Sequence, residues 1–312
     1  MIHPGFLGID VSKRHLDIFD GALGRTERIN NDREALQAFA SRLGGRDVFV
    51  VLEATGHYDE GLRQALSLAG IRYARVNPER ARHFAKALGL LAKTDAIDAR
   101  MLAMMAQALD LKEDHLPDAA NQALTRLTLR RDQLVAMRQK ERVRLAEMTG
   151  TETDVMTTSL IRHLGWLDGE IADVEAAIST HLKGNDELKR KARLLMSIKG
   201  IGPVTATILL SRLPELGSLS PGAAAALAGL APYNADSGTT NGKRAIRCGR
   251  KRVRDALYMA AIAARKEPRF GAFFQKLTDA GKPFKVAIIA LARKLLVTAN
   301  AILRDGVAFA EK

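Results

Sequence analysis

The chain has 312 residues, with 47% hydrophobic residues, 27% charged residues and a formal net charge of +13. This length implies at least two domains with ample core, and a single cysteine, Cys248, excludes an internal disulfide and any cysteine-based zinc cluster. No apolar run nears the ~18–20 residues of a membrane span, and Met1-Ile2-His3-Pro4-Gly5 lacks the basic start and apolar stretch of a signal peptide, so a cytoplasmic protein that does not engage membranes is expected.

Residues 5–110 alternate strand and helix signals, with strands near 5–11, 15–20, 25–30, 47–53 and 71–76 and helices near 32–43, 57–69, 78–88 and 95–109. Three early strands in meander followed by strand–helix alternation predict a mixed sheet flanked by helices, the layout of the ribonuclease-H-like fold. Four carboxylates are placed informatively in it. Asp10 ends the apolar run Phe6-Leu7-Gly8-Ile9, and Glu53 ends Val48-Phe49-Val50-Val51-Leu52. Asp95 and Asp98 open a helical segment and, three apart, share one face. A carboxylate at the end of a buried strand reaches solvent and a divalent cation, and together the four make an all-oxygen set of the kind Mg²⁺ prefers. Taken singly, each acid reads first as a turn former or a helix cap, and Asp95 favours a helix N-terminus through the dipole. Two details oppose that reading. Ile97 denies Thr94 a capping box, and Ile9-Asp10-Val11-Ser12 running into His15-Leu16-Asp17-Ile18-Phe19 reads as a hairpin.

Residues 119–190 carry no strand signal. Leu124, Leu127, Leu134 and Met137 recur at helical steps, as do Ile161, Leu164, Leu167, Ile171, Val174, Ile178 and Leu182. Gly150 and the Thr-rich stretch 151–158 separate the two runs. Two long antiparallel helices forming a coiled-coil arm are expected, with Trp166 and the leucine stripes as packing residues and assembly as the arm's role.

Residues 201–312 hold 18 Lys and Arg against 7 Asp and Glu, whereas residues 1–200 hold 30 against 28. The excess positive charge is therefore confined to the last third, which predicts contact with a polyanion there. Leu195-Met196-Ser197-Ile198-Lys199-Gly200-Ile201-Gly202-Pro203-Val204 resembles a helix-hairpin-helix, in which Gly200 and Gly202 permit a tight turn, the next helix offers N–H groups to a phosphate, and Lys199 adds charge. An ordinary helical hairpin remains the alternative. After an apolar helix at 222–230 comes the small, polar loop 231–242, and then a run holding Lys243, Arg244, Arg247, Arg250, Lys251, Arg252 and Arg254. Such a run reads as a phosphate-binding surface or as a solvated helix face. Ser237 lies in the loop with its hydroxyl left accessible by Gly238. Most loop serines are turn formers, and its position beside the basic run makes this one a candidate nucleophile.

Taken together, the chain resembles the DEDD-type insertion-sequence transposases, some of which act as bridge-RNA-guided recombinases. Gly8-Ile9-Asp10-Val11-Ser12-Lys13, Glu53-Ala54-Thr55-Gly56 and Lys93-Thr94-Asp95-Ala96-Ile97-Asp98-Ala99 match the acidic positions of their RuvC-like domain. Ile198 to Pro203, Gly229-Leu230-Ala231-Pro232, Ser237-Gly238 and Gly249-Arg250 match their transposase domain. The resemblance implies a RuvC-like catalytic domain over 1–112, coiled-coil linker helices over 113–190 and a helical transposase domain over 191–312. It implies that Asp10, Glu53, Asp95 and Asp98 bind Mg²⁺, and that Ser237 attacks DNA to form a phosphoserine intermediate. The implied partners are DNA, a structured bridge RNA that guides target choice, and further copies of the chain in a dimer or tetramer, where one subunit's acidic domain meets another's serine domain. A structure-selective nuclease using the same acids with water, a site-specific invertase and a non-catalytic nucleic-acid scaffold are the competing readings. No nucleotide-cradling G-x-x-x-x-G-K-[ST] loop is present, as expected of an exchange that conserves bond energy in a covalent intermediate.

Overall fold

Short runs of β-branched and aromatic residues build the first unit, Met1–Leu116. The computed structural model describes residues 5–54, 56, 58–90, 95–148, 155–233 and 244–309. Strands β1 (Phe6–Val11), β2 (His15–Asp20) and β3 (Arg25–Asn30) are followed by α1 (Arg33–Leu43), β4 (Phe49–Glu53), α2 (Glu60–Leu68), β5 (Arg72–Val76), α3 (Pro78–Ala87) and α4 (Asp95–Ala108). The sheet order is β3-β2-β1-β4-β5. β1 and β2 pair antiparallel, as do β2 and β3, while β1–β4 and β4–β5 are parallel.

Side chains alternate between the faces of this sheet, and each face has its own cover. Leu7, Ile9, Leu16, Ile18, Val50 and Leu52 pack on one side against Leu36, Phe39 and Leu43 of α1 and Leu62 and Leu66 of α2. On the other side Val51, Ala74 and Val76 meet Met101, Leu102 and Met105 of α4. α4 lies against β1 because Gly8 has no side chain. A Cβ built there would come 1.9 Å from the Ala99 carbonyl oxygen and 2.5 Å from the Ala103 nitrogen.

The second unit, Pro117–Lys312, is helical apart from one short hairpin among the described residues. α5 (Ala119–Glu147) and α6 (Val155–Gly184) run antiparallel, since Arg131 pairs with Glu175 at 2.7 Å and Arg138 with Asp168 at 2.6 Å. Leu134, Leu167 and Ile171 are buried between them. The expected packing stripe is only partly realised: Met137, Ile161 and Trp166 are exposed, and Trp166 stacks on His163 at 5.9 Å. Buried positions on α5 include the polar Thr128 and Glu141, so the stripe follows geometry that leucine counting does not capture. The second helix ends at Gly184, just past the last periodic residue Leu182, and the Asn185 side chain accepts from the Leu188 N–H at 2.9 Å to start α7 (Asp186–Met196).

α8 (Pro203–Arg212) and α9 (Pro221–Leu227) follow, then β6 (Pro232–Tyr233), β7 (Ala245–Ile246), α10 (Lys251–Ala264), α11 (Pro268–Asp279) and α12 (Phe284–Asp305). α12 bears on the expectation that no segment spans a membrane. It is long and apolar enough to cross a membrane by length and composition. Its Ile288, Leu291, Leu295, Leu296 and Ala299 form the centre of the second unit's core, against Leu195, Leu209, Leu257 and Ala261. The buried half of the helix is apolar because it packs against these other helices. Asp132 of α5 fastens the helix pair to this core, accepting from Arg252 at 2.9 Å and lying 3.6 Å from Arg212.

Candidate active site

The strand registers bring the N-terminal acids together. Ile9 pairs with Leu52 across parallel strands, so Asp10 and Glu53 follow as neighbours at the C-terminal ends of β1 and β4. Alternation sends both to the face covered by α4. Asp95 and Asp98 occupy the first turn of α4, where the helix dipole favours anions. The other three acids all bear on the Asp10 carboxyl. Its pKa is pushed up from 3.8 to about 6, first by burial and then by the charges of Asp98, Asp95, Glu53 and Asp17. A group so placed is relieved by a cation.

Two further residues belong to this cluster and were missed in the sequence. Asp17 stands directly across from Asp10 in the β1–β2 pairing and is buried. It accepts two hydrogen bonds from Arg28 of β3, Nε to Oδ1 at 3.0 Å and Nη2 to Oδ2 at 2.9 Å. The same Nη2 donates to Asp95 Oδ2 at 3.0 Å. The hairpin reading of residues 9–19 was the available signal, because a short turn between Val11 and His15 fixes the register that pairs 10 with 17.

The oxygen-only donors suit a hard divalent cation. Among the described residues, however, no three His, Cys, Asp or Glu side chains are drawn together closely enough to hold a metal ion as they stand. The acids thus converge electrostatically around Asp10 without forming a closed ligand cage.

In the second unit, the glycine hairpin lies between α7 and α8. Ile198 and Ile201 are buried, Gly200 has φ +95°, and a Cβ on it would come 2.6 Å from the Ala260 carbonyl oxygen. Gly202 caps α8 without a side-chain hydrogen bond, and Pro203 at the first helical position has no N–H, so the amides of Val204 and Thr205 are not capped by a side chain at Gly202. Lys199 is exposed at the same turn.

The basic run is more occupied than its charge count suggests. Arg250 forks onto Glu215 at 2.7 and 2.6 Å and also donates to the Arg212 carbonyl. Burial would raise the Glu215 carboxyl, but the hydrogen bonds and charge of Arg250 outweigh it and hold the carboxyl below its usual range. Arg252 is bound to Asp132, Lys251 to Asp255, and Arg254 to the Cys248 carbonyl. Arg247 lies over the Tyr233 ring at 5.3 Å, and Arg244 is exposed. Pairing of β6 with β7 clamps the two ends of the loop between them. Ser237 and Lys243 lie outside the described residues.

The chain matches two families. Residues 7–149 match a family of DEDD-type IS110 transposases, and residues 192–275 match the transposase IS116/IS110/IS902 family. Over 314 aligned residues it is 30% identical to the "pilin gene-inverting protein" of Moraxella bovis, with 96% of each chain covered, and equally so to that of Moraxella lacunata. A protein of insertion element IS110 from Streptomyces coelicolor is 32% identical over 162 residues, which cover 51% of this chain and 38% of that protein.

Proposed function

The chain belongs to the IS110-type DEDD transposase family and is a DNA transposase or recombinase, and within that activity we propose that it exchanges strands through Ser237 as nucleophile, assisted by a divalent cation at Asp10, Glu53, Asp95 and Asp98. The observation that carries the reading is the convergence of Glu53, Asp95 and Asp98 on a half-buried Asp10 whose carboxyl is pushed up to about 6. Mg²⁺ is the cation favoured by an all-oxygen set, and when bound it supplies charge stabilisation at the scissile phosphate and the leaving oxygen.

The chain's own residues supply the rest. A serine hydroxyl is a weak nucleophile unless its proton is removed. Its oxygen forms the new bond to phosphorus as the bond to the leaving strand oxygen breaks, with the serine proton passing in net to that departing oxygen, and the reverse attack by a second strand hydroxyl returns a proton and restores the serine. One phosphodiester is exchanged for another, so no ATP is needed. Lys199, the α8 N-terminus beyond Gly200 and Gly202, Arg244 and Arg247 hold the nucleic-acid backbone without reading sequence, with Lys243 on the same stretch. The α7–α8 turn serves as a helix-hairpin-helix, and α5–α6 as a coiled-coil arm through which copies assemble. A structured RNA that guides donor and target choice follows from the family resemblance.

The full-length similarity to pilin gene-inverting proteins favours one variant of this reading, in which the exchanged sites flank an invertible segment. The test of the metal assignment is mutational. Asp10→Ala and Glu53→Ala abolish strand cleavage in Mg²⁺ buffer while DNA binding persists, and full cleavage by both variants would remove the assignment.

A further inference from the structure

We infer that Asp17 and Arg28 form a neutral latch that orients Asp95, which makes Arg28 a positioning residue for the reaction. The inference rests on the cation site proposed above. The Asp95 side chain is 60% exposed at the first residue of α4, so little packing fixes its rotamer. The hydrogen bond from Arg28 Nη2 to Oδ2 restrains it and leaves Oδ1 available to a cation. A carboxylate ligand restrained in this way by an outer partner binds metal better than a free one.

Asp17 explains why an arginine can do this without repelling the ion. Arg28 alone would place a positive charge beside the cation, and at a few ångströms that repulsion is substantial. Asp17 is buried on the same face and takes both Nε and Nη2 of the guanidinium. The pair sums to zero charge, and its fork fixes the plane of the guanidinium, which a lysine cannot reproduce. The backbone register does the rest, since Asp17 faces Arg28 on β3 and Asp10 on β1. The latch therefore joins β2 and β3 to the helix that carries the last two acids.

The experiment is calorimetric titration of the full chain with Mn²⁺, a readout that does not depend on cleavage. Arg28→Lys keeps the charge and loses the fork, at a side chain that is 53% exposed, so the core is undisturbed. It is expected to weaken Mn²⁺ binding on the order of 10–100-fold. Asp17→Asn releases the guanidinium by the second route and weakens binding as well. Arg42→Lys, on α1 at the opposite face of the sheet and paired to Glu27, leaves affinity unchanged. Wild-type affinity in both latch variants, or tighter binding in Arg28→Lys, overturns the latch and leaves the acidic site standing. Absence of Mn²⁺ binding by the wild-type chain overturns the acidic site and the latch together.

Discussion

Gly8→Ala tests how the acidic site is assembled. The added methyl would lie 1.9 Å from the Ala99 carbonyl oxygen and 2.5 Å from the Ala103 nitrogen, both backbone atoms of α4 that no rotamer change can move. Restoring a separation near ~3.5 Å requires α4 to withdraw from β1 by roughly 1.6 Å at Ala99 and about 1 Å at Ala103. Overpacking of this kind costs about 1–3 kcal/mol, and the upper end applies where the clash is with backbone on both sides. The functional effect is larger than the loss of stability. Asp95 and Asp98 ride on α4 and Asp10 on β1, so the displacement separates the acids, and a misplacement of ~1 Å is worth on the order of 10²-fold in rate. Urea denaturation should show the stability loss. Cleavage assayed well below the denaturation midpoint should fall by about two orders of magnitude. A Gly8→Ala protein with wild-type stability and wild-type cleavage would refute the argument that packing of α4 on β1 builds the site.

Three other outcomes follow from the same geometry. Asp10→Asn should stabilise the metal-free chain at neutral pH by roughly 1 kcal/mol once solvent screening is allowed for. Because the Asp10 pKa is raised, its penalty is absent below pH 3.8 and fully developed above about 6. The stability difference between Asp10→Asn and wild type should therefore grow across that window, and a flat difference would contradict it. Replacing Arg244 and Arg247 by Ala should reduce the slope of log K against log salt by about 0.7–0.9 for each phosphate that is no longer neutralised, with an unchanged slope assigning both to a solvated surface. Arg250→Ala should instead lower stability by about 1 kcal/mol once solvent screening is allowed for, because Glu215 is left partly buried without its partner, and a loss of DNA affinity at unchanged stability would reverse that assignment.

The strands were legible, and Asp10 and Glu53 stood out because two apolar runs in this chain end abruptly in a carboxylate, whereas Asp95 and Asp98 showed only as a pair opening a helix. The fit of α4 on β1 was not, since Gly8 looks like any strand glycine until the helix is seen against it. Asp17 and Arg28 were passed over because a lone charge within an alternating strand reads as solvent-facing. The internal partners of the basic run were hidden for a related reason. Charge counting sees Arg250 and Arg252, while their partners Glu215 and Asp132 stand 35 and 120 residues away. In α12 the difficulty was one of context. An apolar stretch packed against other helices matches a membrane span in composition.

Serine chemistry is the central claim, and trapping the intermediate tests it most directly. The protein is incubated with labelled DNA and Mg²⁺, with and without the structured RNA proposed to guide it, then denatured and resolved by electrophoresis. A slow-migrating, protease-sensitive protein–DNA adduct should form with the wild-type chain and vanish in Ser237→Ala, which keeps DNA binding. Ser237→Ala cleaving DNA at the wild-type rate would contradict the serine mechanism and leave a water-using nuclease in its place.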